Sequence, residues 1–349
     1  MSNSGKIQDI INSSQRIVII QADNPDGDSL ASALALEEIL AEQGKNIYLY
    51  CGSDIPNYLR YLEGWDRVLN QLPSNFDASI IVDTSAVSLL EQMQNDGSIN
   101  WLKTKPCIVL DHHTASEPTI DFARILHIET AVATGELIYN LCQQLNWQRT
   151  NKANEFLMTS IMSDSLGLTT EGTSAASIRV VSELVADGVS IPKLEDKRRA
   201  TQKKSPELVQ YKAQLMSRIE YNQAGTVATV TIPWEEIEKY SHEYNPSILV
   251  MDEMRMVTKV GIAIAFKTYP DGRITAKLRA NYGYGIAAEL ASHFGGGGHP
   301  YAAGFKITSG KPFNEVKSEC IEKATELIDT LIAAQDTQNE TTQYAYTVD

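Results

Sequence analysis

The hydrophobic positions in the first half of the chain alternate between short apolar runs and longer stretches with helical spacing. A continuous apolar run is typical of a strand buried on both faces, whereas apolar positions three and four apart are typical of a helix. The pattern predicts strands at 16–20, 46–50, 78–82 and 107–110, and helices at 29–44, 133–145 and 153–165. Strands and helices that alternate in this way predict an α/β domain with a mainly parallel sheet and helices on both faces.

The pattern changes after residue 188. Residues 189–206 are charged and have few large apolar side chains, so we expect a partly helical linker there. A smaller α/β domain follows at 207–333, with a strand at 225–232, a hairpin at 261–280, a helix at 285–294, a strand at 301–307 and a helix from 313. The first domain would then cover residues 1–188, with a cleft between the domains. Residues 334–349 are polar and predict a disordered tail.

The composition fits a globular protein with more than one core. The chain has 349 residues, 43% of them hydrophobic and 21% charged. No apolar run approaches the roughly 18 residues that a membrane span needs, and the first residues lack a signal-peptide pattern. We therefore expect a cytoplasmic protein with no membrane partner. The four cysteines form no CxxC pair, which predicts free thiols.

The charge is unevenly distributed. The net charge is −14, yet the segment from Arg255 to Lys311 contains eight Lys or Arg and two acids, for +6. The remainder therefore carries −20, since −14 minus 6 is −20. So acidic a chain is poorly suited to wrapping long duplex nucleic acid. The basic segment suits a small anionic ligand such as a phosphate.

Acidic and histidine side chains follow three of the predicted strands. Each group alone could be an ordinary turn or helix cap. Together they would meet at one sheet edge, because ligands gather beyond the carboxyl ends of parallel strands. No lysine or arginine lies nearby in sequence, so a divalent cation is the simplest source of compensating charge. The candidate ligands are Asp26, Asp28, Asp83, Asp111, His112 and His113, with Asp164 from a helix.

Such a donor set indicates a metal-dependent hydrolase. Several carboxylates with one or two histidines suit Mn²⁺ or Mg²⁺ better than a structural zinc ion. Two such ions are the usual apparatus for phosphoester hydrolysis.

A glycine-rich segment is the second candidate for chemistry. Gly295, Gly296, Gly297 and Gly298 are followed directly by His299, and Arg279 ends the predicted hairpin. Consecutive glycines allow the backbone to approach a ligand closely, and their N–H groups can bind an anion. A flexible linker is the alternative, but linkers rarely stand between a helix and a strand. We therefore predict a phosphate- or nucleotide-binding loop.

The order of these motifs resembles a known family. "NPDGD", "VDT", "DHH" and "SDS", followed by "LRA" and "GGGGH", are similar to the DHH phosphoesterases that carry a DHH-associated C-terminal domain. The resemblance covers about residues 10 to 330. By size and layout the chain resembles the short oligoribonuclease and pAp phosphatase type, often called nano-RNase.

The resemblance implies a role for each candidate residue. One metal would be bound by Asp26 and Asp83, and the other by Asp28, Asp83, His112 and Asp164. Asp111 would orient its neighbours and His113 would face the scissile phosphate. Arg279, His299 and the loop Gly295–Gly298 would hold the substrate's phosphates. The implied cofactor is a pair of Mn²⁺ ions, with Mg²⁺ as the alternative, and the implied partner is short RNA or a nucleotide; a homodimer is compatible with this type.

The first motif departs from the family pattern. The family places a histidine three positions before the motif proline, and this chain has Ala22 there. Gln21 or Asp23 could fill the position if the backbone leaves strand geometry early. Two functions therefore stay open. The first is a phosphoesterase that hydrolyses short oligonucleotides from the 3′ end, pAp or dinucleotide second messengers. The second is a nucleotide- or oligonucleotide-binding protein with weakened catalysis.

Overall fold

Two sheets organise the chain. The computed structural model describes residues 2–114, 118–308 and 310–345, with side chains described as far as residue 334. The chain divides into two compact units, and the boundary falls between Lys203 and Lys204. Within the described residues each unit contains one six-stranded sheet.

The sheet of unit 1 is parallel throughout. Its strands are β1 Arg16–Ile20, β2 Asn46–Tyr50, β3 Val68–Leu69, β4 Ala78–Val82, β5 Cys107–Asp111 and β6 Ile125–Ile128. They lie in the order β3-β2-β1-β4-β5-β6, and every neighbouring pair is parallel. The chain therefore reverses its direction of growth between β1 and β4. In open α/β sheets, ligands bind beyond the carboxyl ends of the strands at that switch point.

Helices cover both faces of this sheet, as the continuous apolar runs predicted. The helices of unit 1 are α1 Asn3–Ser13, α2 Gly27–Ala41, α3 Glu91–Asn95, α4 Ile99–Leu102, α5 Thr134–Leu145, α6 Asn151–Asp164, α7 Ala175–Ala186 and α8 Ile191–Thr201. Side chains of β1 alternate between two buried clusters: Ile17 and Ile19 pack with residues of α2, α5 and α6, whereas Val18 and Ile20 pack with residues of α3 and α4. The fold class predicted from the sequence is confirmed.

The helix after β1 is the centre of unit 1. Its residues Leu30, Ala31, Leu34 and Ala35 are all fully buried, so α2 is enclosed on nearly every side. Its first residue must be small: a Cβ on Gly27 would lie 2.0 Å from Ser163 Oγ on α6. This close approach brings the start of α2 and the end of α6 together at the sheet edge.

The structure differs from the sequence prediction at several elements. Strands β3 and β6 were not predicted. The expected linker at 189–206 is largely α8, whose Ile191 and Leu194 pack against the core of unit 1. The final helix continues to Ala345 through most of the expected disordered tail, and residues 346–349 lie outside the described part of the chain.

Unit 2 contains a mixed sheet. Its helices are α9 Pro206–Ser217, α10 Trp234–Tyr240, α11 Pro246–Leu249, α12 Met251–Arg255, α13 Ala287–His293 and α14 Phe313–Ala345. Its strands are β7 Glu220–Asn222, β8 Val227–Ile232, β9 Ile262–Thr268, β10 Ile274–Ala280, β11 Gly297–His299 and β12 Ala302–Ile307. They lie in the order β11-β12-β10-β9-β8-β7, antiparallel except for β8 with β9. The predicted hairpin is β9–β10.

The two faces of this sheet differ along β10. Ile274, Ala276 and Leu278 are buried on the face that packs with α13 and α14. The alternate residues Lys277 and Arg279 are half-buried on the opposite face. Helices α9 to α12 cover that opposite face over β8 and β9, where Ala228 and Ala263 belong to their cluster. The charged side chains of β10 thus lie beside the covered part of the face.

Candidate metal centre and phosphate-binding face

Two aspartates belong to the start of α2. Asp26 is the N-cap: its Oδ1 accepts a hydrogen bond from the Ser29 backbone N–H at 2.9 Å, and Ser29 Oγ pairs in return with the Asp26 backbone. Asp28 lies in the first helical turn and is buried. The positive end of the helix dipole favours both carboxylates. Asp26 therefore caps α2 and also lies beyond the carboxyl end of β1, where the sheet changes direction.

The Asp28 carboxylate accepts three hydrogen bonds. Its Oδ1 accepts from Ser32 Oγ at 2.9 Å and from Ser160 Oγ, and its Oδ2 accepts from the Thr134 N–H at 2.8 Å. Ser160 Oγ also accepts from the Gly135 N–H at 2.8 Å, which ties the start of α5 to α6. Two serine hydroxyls and one backbone N–H therefore stabilise the Asp28 carboxylate.

Asp83 follows β4, between the ends of β1 and β5, as the strand order requires. Its backbone has φ +60°, a left-handed conformation that few residues other than glycine adopt. Its Oδ1 accepts a hydrogen bond from Thr134 Oγ1 at 2.9 Å. Strained backbone of this kind clusters at functional sites. Thr134 therefore holds two carboxylates at once, Asp28 through its N–H and Asp83 through its hydroxyl.

His112 lies among three carboxylates. Its Nε2 is 3.6 Å from Asp28 Oδ2, 3.5 Å from Asp83 Oδ1 and 3.5 Å from Asp164 Oδ2. Its Nδ1 lies 3.1 Å from the Ala131 carbonyl oxygen, which leaves Nε2 as the bare nitrogen when the ring is neutral. Nε2 is buried and has no hydrogen-bond partner. No lysine or arginine of the described residues forms an ion pair with these carboxylates.

This arrangement fits a divalent cation. A bare ring nitrogen and carboxylate oxygens are all electron-pair donors. Among the described residues, two groups of such atoms lie within 4.8 Å of one another: Asp28 with His112 and Asp164, and Asp83 with His112 and His113, so His112 belongs to both. His113 Nδ1 is 3.9 Å from Asp83 Oδ1, but it lies 2.7 Å from Asp111 Oδ1 and is hydrogen-bonded there. Ligating histidines usually donate their other nitrogen to a carbonyl oxygen, as His112 does to Ala131. Asp26 is not among the groups whose donor atoms lie close enough together to share one ion, within the described residues.

The crowding of negative charge raises the pKa values of two carboxyl groups in the site. Burial, and then the nearby charges of Asp28 and Asp26, raise the pKa of Asp83. Burial and the charge of Asp28 raise the pKa of Asp164 to about 6. Without a cation the site thus favours protonated carboxyl groups, as uncompensated like charges do.

A second pair lies beside the cluster. Asp111, which is buried at the end of β5, has its Oδ1 2.7 Å from His113 Nδ1. Burial raises the pKa of Asp111, but hydrogen bonds from His113 and Ser85 outweigh it and the net change is downward. The hydrogen bond to Asp111 raises the pKa of His113. An ionised Asp111 therefore orients an exposed imidazole that carries a proton more readily than free histidine does.

The position of the missing histidine is occupied by apolar packing. Ala22 is buried, and its carbonyl oxygen accepts a hydrogen bond from Cys51 Sγ at 3.2 Å. Asp23 Oδ2 accepts from the Gln92 N–H at 2.8 Å, so this carboxylate fixes the start of α3. Gln21 is fully buried, and neither of its amide atoms has a hydrogen-bond partner.

In unit 2 the register brings Arg279 and His299 to one face. His299 pairs with Ala302, and Ala302 pairs with Arg279 on its other side. Residues opposite each other in antiparallel strands share a face, so the two side chains flank Ala302, with Cα atoms about 10 Å apart. Burial, and then the charge of Arg255, lower the pKa of Arg279. An anion bound beside Arg279 would relieve the repulsion between the Arg279 and Arg255 guanidinium groups.

The glycine-rich segment forms an edge strand as well as a turn. Gly297 and Gly298 belong to β11, whereas Gly295 and Gly296 precede it, so the predicted loop is only partly a loop. Gly298 has φ +144°, and a Cβ there would lie 2.5 Å from the Ala302 carbonyl oxygen. No larger residue fits at this position without moving the strand.

Three lysines extend the basic face. Lys267, Lys277 and Lys306 line a cavity of about 520 Å³ together with Gly295 and Gly304. Lys277 on β10 pairs with Gly304 on β12, which pairs with Gly297 on β11. The two positions directly beside Lys277 on β12 and β11 therefore have no side chain. Burial, and then neighbouring positive charge, lower the pKa of Lys277. These lysines, like Thr134, were not predicted, because only the register shows which residues they lie beside.

Two domain families match this chain. Residues 16–170 match the DHH family, N-terminal domain, and residues 227–334 match the DHHA1 domain. The first match contains all the candidate metal ligands, and the second contains the basic face. None of the described helices is long and apolar enough to cross a membrane.

Similar proteins are named in two other comparisons. A Thermus thermophilus protein named bifunctional oligoribonuclease and PAP phosphatase NrnA is 24% identical over 285 residues, covering 80% of this chain and 81% of the relative. A Bacillus subtilis protein of the same name is 23% identical over 301 residues, covering 84% and 90%. The crystal structure of an exopolyphosphatase-related protein from Bacteroides fragilis shares the fold, with a TM-score of 0.82 at 21% identity, over 94% of this chain and 97% of that chain.

Proposed function

The chain belongs to the DHH phosphoesterase family and carries its DHHA1 domain, and on that premise we propose that it is a metal-dependent hydrolase of short oligoribonucleotides and pAp. The relatives named as oligoribonuclease and PAP phosphatase support the substrate class. The observation that carries the proposal is the bare Nε2 of His112 among three carboxylates.

Two divalent cations would be held at the sheet edge. Asp28, Asp83, His112 and Asp164 would bind one, and Asp26 would join Asp83 for the other. Such ions stabilise the negative charge that develops on a phosphoryl group and its leaving oxygen. Mn²⁺ is the proposed metal, with Mg²⁺ as the alternative, since oxygen-rich sites with one or two histidines suit both.

The chain's own side chains would then position the substrate and move protons. Thr134 keeps the Asp28 and Asp83 carboxylates in place before any cation binds. His113, oriented by Asp111, offers a solvent-accessible ring nitrogen that can hold a proton beside the scissile phosphate. A histidine with a raised pKa can give that proton to the leaving oxygen near neutral pH.

The basic face of unit 2 would bind the substrate's other phosphates. Arg279 presents a planar guanidinium, which can bond a phosphate through two nitrogens. Lys277 and Lys306 line the adjoining cavity, and the glycines beside Lys277 leave room for a sugar–phosphate backbone. Substrates of a few nucleotides match a face of this size, whereas the acidic remainder of the chain disfavours long strands.

A second function is favoured by Ala22. Without the family's histidine the first cation has two secure protein ligands, Asp26 and Asp83, so the protein could bind nucleotides while hydrolysing them slowly. A cytoplasmic location and homodimer formation stay predictions under either function.

One digestion series separates these functions. The full-length protein is incubated with 5′-labelled RNA two-mers and five-mers, pAp and long single-stranded DNA, with Mn²⁺ or with EDTA. We expect short RNA and pAp to be hydrolysed only with metal, with RNA shortened from its 3′ end. The variant His112→Ala should lose this activity, while His242→Ala, at an exposed histidine of unit 2, should keep it. Binding of pAp without turnover would favour the second function, and EDTA-resistant hydrolysis would contradict the metal centre.

A further inference from the structure

A single peptide bond lies between His112 and a buried carboxylate that belongs to no metal-ligand group. The carbonyl oxygen of Ala131 is 3.1 Å from His112 Nδ1, and the N–H of Val132 donates a hydrogen bond to Glu136 Oε2 at 2.9 Å. This carbonyl and this N–H belong to the same peptide bond, the one that joins Ala131 to Val132. A peptide bond is planar, so the direction of its N–H fixes the direction of its C=O. Glu136 therefore reaches the ring of His112 through one rigid unit.

The three parts of this chain of hydrogen bonds are shielded from water. Glu136 is 3% exposed, Val132 is 4% exposed, and the His112 side chain is 10% exposed. A buried N–H needs a protein acceptor when water cannot reach it, and for Val132 that acceptor is Glu136. A carboxylate is also a stronger acceptor than a neutral oxygen. The orientation of the peptide therefore depends on Glu136.

The loop that contains this peptide also holds two candidate metal ligands. Thr134 donates its N–H to Asp28 and its hydroxyl to Asp83. Glu136 lies in the first turn of α5, directly after the loop, and reaches back four residues to Val132. Movement of the loop would therefore displace His112 and release both carboxylates together.

A second hydrogen bond connects Glu136 to α7. Ser177 Oγ donates to Glu136 Oε2 at 2.8 Å and accepts from the Ser174 N–H at 3.3 Å in the capping box of α7. The two hydrogen bonds to Glu136 Oε2 have different consequences. The one from Ser177 anchors the start of α7, whereas the one from Val132 holds the peptide beside His112. Substitutions can therefore separate a structural role from a role in the metal centre.

From this geometry we propose that Glu136 is a positioning residue of the metal centre. It orients the peptide between Ala131 and Val132, and that peptide orients His112 so that Nε2 faces the cation. Residues that hold a ligating histidine typically change metal affinity about 10–100-fold when they are replaced. Here the carboxylate acts from behind the carbonyl group that His112 contacts. The inference rests on the proposed function, because it gives Glu136 a role toward the proposed cation.

Calorimetric titration of the metal-free, full-length protein with Mn²⁺ tests the assignment. Glu136→Met keeps the length of the side chain and removes the acceptor, so it should raise the Kd for Mn²⁺ about tenfold or more. Glu136→Gln keeps an acceptor oxygen and should stay within about threefold of the wild type, because polarisation along a chain of hydrogen bonds changes each bond by only about 10–30%. Ser177→Ala is the matched control: it should lower Tm and bind Mn²⁺ as the wild type does.

A spectroscopic measurement on the metal-free protein tests the same geometry. The ¹H–¹⁵N spectrum of the wild type and of Glu136→Gln should show the His112 Nδ1 proton, because its hydrogen bond to Ala131 slows exchange with water. Glu136→Met should lose or broaden this signal, and its absence from His112→Gln identifies it. Where Glu136→Met does not fold, Glu136→Asp takes its place, since the shorter side chain withdraws the carboxylate from the Val132 N–H.

Two results would overturn the inference. One is wild-type Mn²⁺ affinity together with a retained Nδ1 signal in Glu136→Met. The other is an equal loss of affinity in Ser177→Ala and Glu136→Met, which would make Glu136 a structural residue of α7. Failure of the proposed function gives a different result, because the wild type then binds no Mn²⁺ or hydrolyses no RNA. In a wild type that binds no Mn²⁺, the Nδ1 signal alone decides whether Glu136 orients His112.

Discussion

Asp164→Asn should stabilise the metal-free protein and destabilise the metal-bound one. Asparagine keeps the shape of the side chain and removes its charge. In the metal-free site, burial and the charge of Asp28 raise the pKa of Asp164 from 3.8 to about 6, so the ionised form costs free energy at neutral pH. When a cation is bound, the negative charge of the Asp164 carboxylate attracts it and so stabilises the folded protein. A single substitution should therefore have opposite effects in the two states.

The expected size follows from the pKa change. A rise of about two pKa units corresponds to roughly 3 kcal/mol in the free energy of unfolding if solvent does not screen the charge. The Asp164 side chain is 37% exposed, so solvent screening reduces this to about 1–1.5 kcal/mol. In a unit of this size 1 kcal/mol shifts Tm by about 2–4 °C. Metal at a hundred times its Kd stabilises the wild type by about 2.7 kcal/mol, and the variant should lose most of that.

The direction of the pKa change determines how the effect of Asp164→Asn on stability varies with pH. Because the pKa in the folded state lies above that in the unfolded state, the folded state binds more protons between about pH 4 and 6. The contribution of Asp164 to stability is therefore lost as pH rises through this window. The advantage of Asp164→Asn in EDTA should be full at pH 7.5 and nearly absent at pH 4.

Denaturant unfolding followed by tryptophan fluorescence measures this effect in unit 1. Trp65, Trp101 and Trp147 belong to unit 1, and Trp234 belongs to unit 2. The control is Asp77→Asn, which should lower stability with and without metal. A hydrogen bond from Arg16 lowers the pKa of Asp77 to about 2, so its charge is favourable in the folded state. Lower stability of Asp164→Asn in EDTA at pH 7.5, or unchanged stabilisation by Mn²⁺, would refute the reasoning.

Three further substitutions test the division of labour. Asp83→Ala should abolish hydrolysis and reduce the Mn²⁺ retained by the purified protein; near-normal turnover would contradict a two-metal site. Arg279→Ala should mainly raise KM and leave metal content unchanged, and a metal loss equal to that of Asp83→Ala would argue against a purely substrate-binding role. Ala22→His should lower the Mn²⁺ concentration for half-maximal activity about tenfold, equivalent to about 1.4 kcal/mol. A flat response, with losses in Gln21→Ala or Asp23→Ala, would mean that one of those residues already fills the position.

The parallel sheet of unit 1 was predictable because its central strands are continuous apolar runs. Residues 17–20 and 78–82 are buried on both faces, and Ser79 is the one polar residue among them, so the apolar runs are nearly continuous. Strand β6 lacked this signal because it lies at the sheet edge, where Leu126 is exposed. Strand β3 is two residues long and lies at the other edge. Strand β6 does alternate between buried and exposed positions, but its exposed position is Leu126 and one of its buried positions is His127, so hydrophobicity along the sequence does not follow burial.

The candidate ligands were predictable for a related reason. Asp28, Asp83 and His112 each follow a recognisable strand, and parallel strands end at one edge. The residues that hold them were not predictable: Thr134 lies more than 100 positions from Asp28 in sequence, and its N–H contacts that carboxylate only through tertiary packing. Lys277 likewise gains its place through pairing with Gly304. The local sequence shows which side chains could bind a metal or a phosphate. Tertiary packing and strand register decide which residues lie beside them.

Gln21 and Asp23 differ in their hydrogen bonds, although Asp23 Oδ1 is, like the Gln21 amide, buried without a partner. The Asp23 carboxylate holds the Gln92 N–H, so its removal would disturb α3 as well as any metal. The Gln21 amide is buried without a hydrogen-bond partner, an arrangement that costs about 1–3 kcal/mol unless some other group bonds it. An amide oxygen is a ligand that hard cations accept. Comparing Ala22→His in the wild type with Ala22→His in a Gln21→Ala background therefore gives the clearest answer. If Gln21 binds the cation, the histidine should improve Mn²⁺ affinity mainly in the Gln21→Ala background; if it does not, the two effects should add.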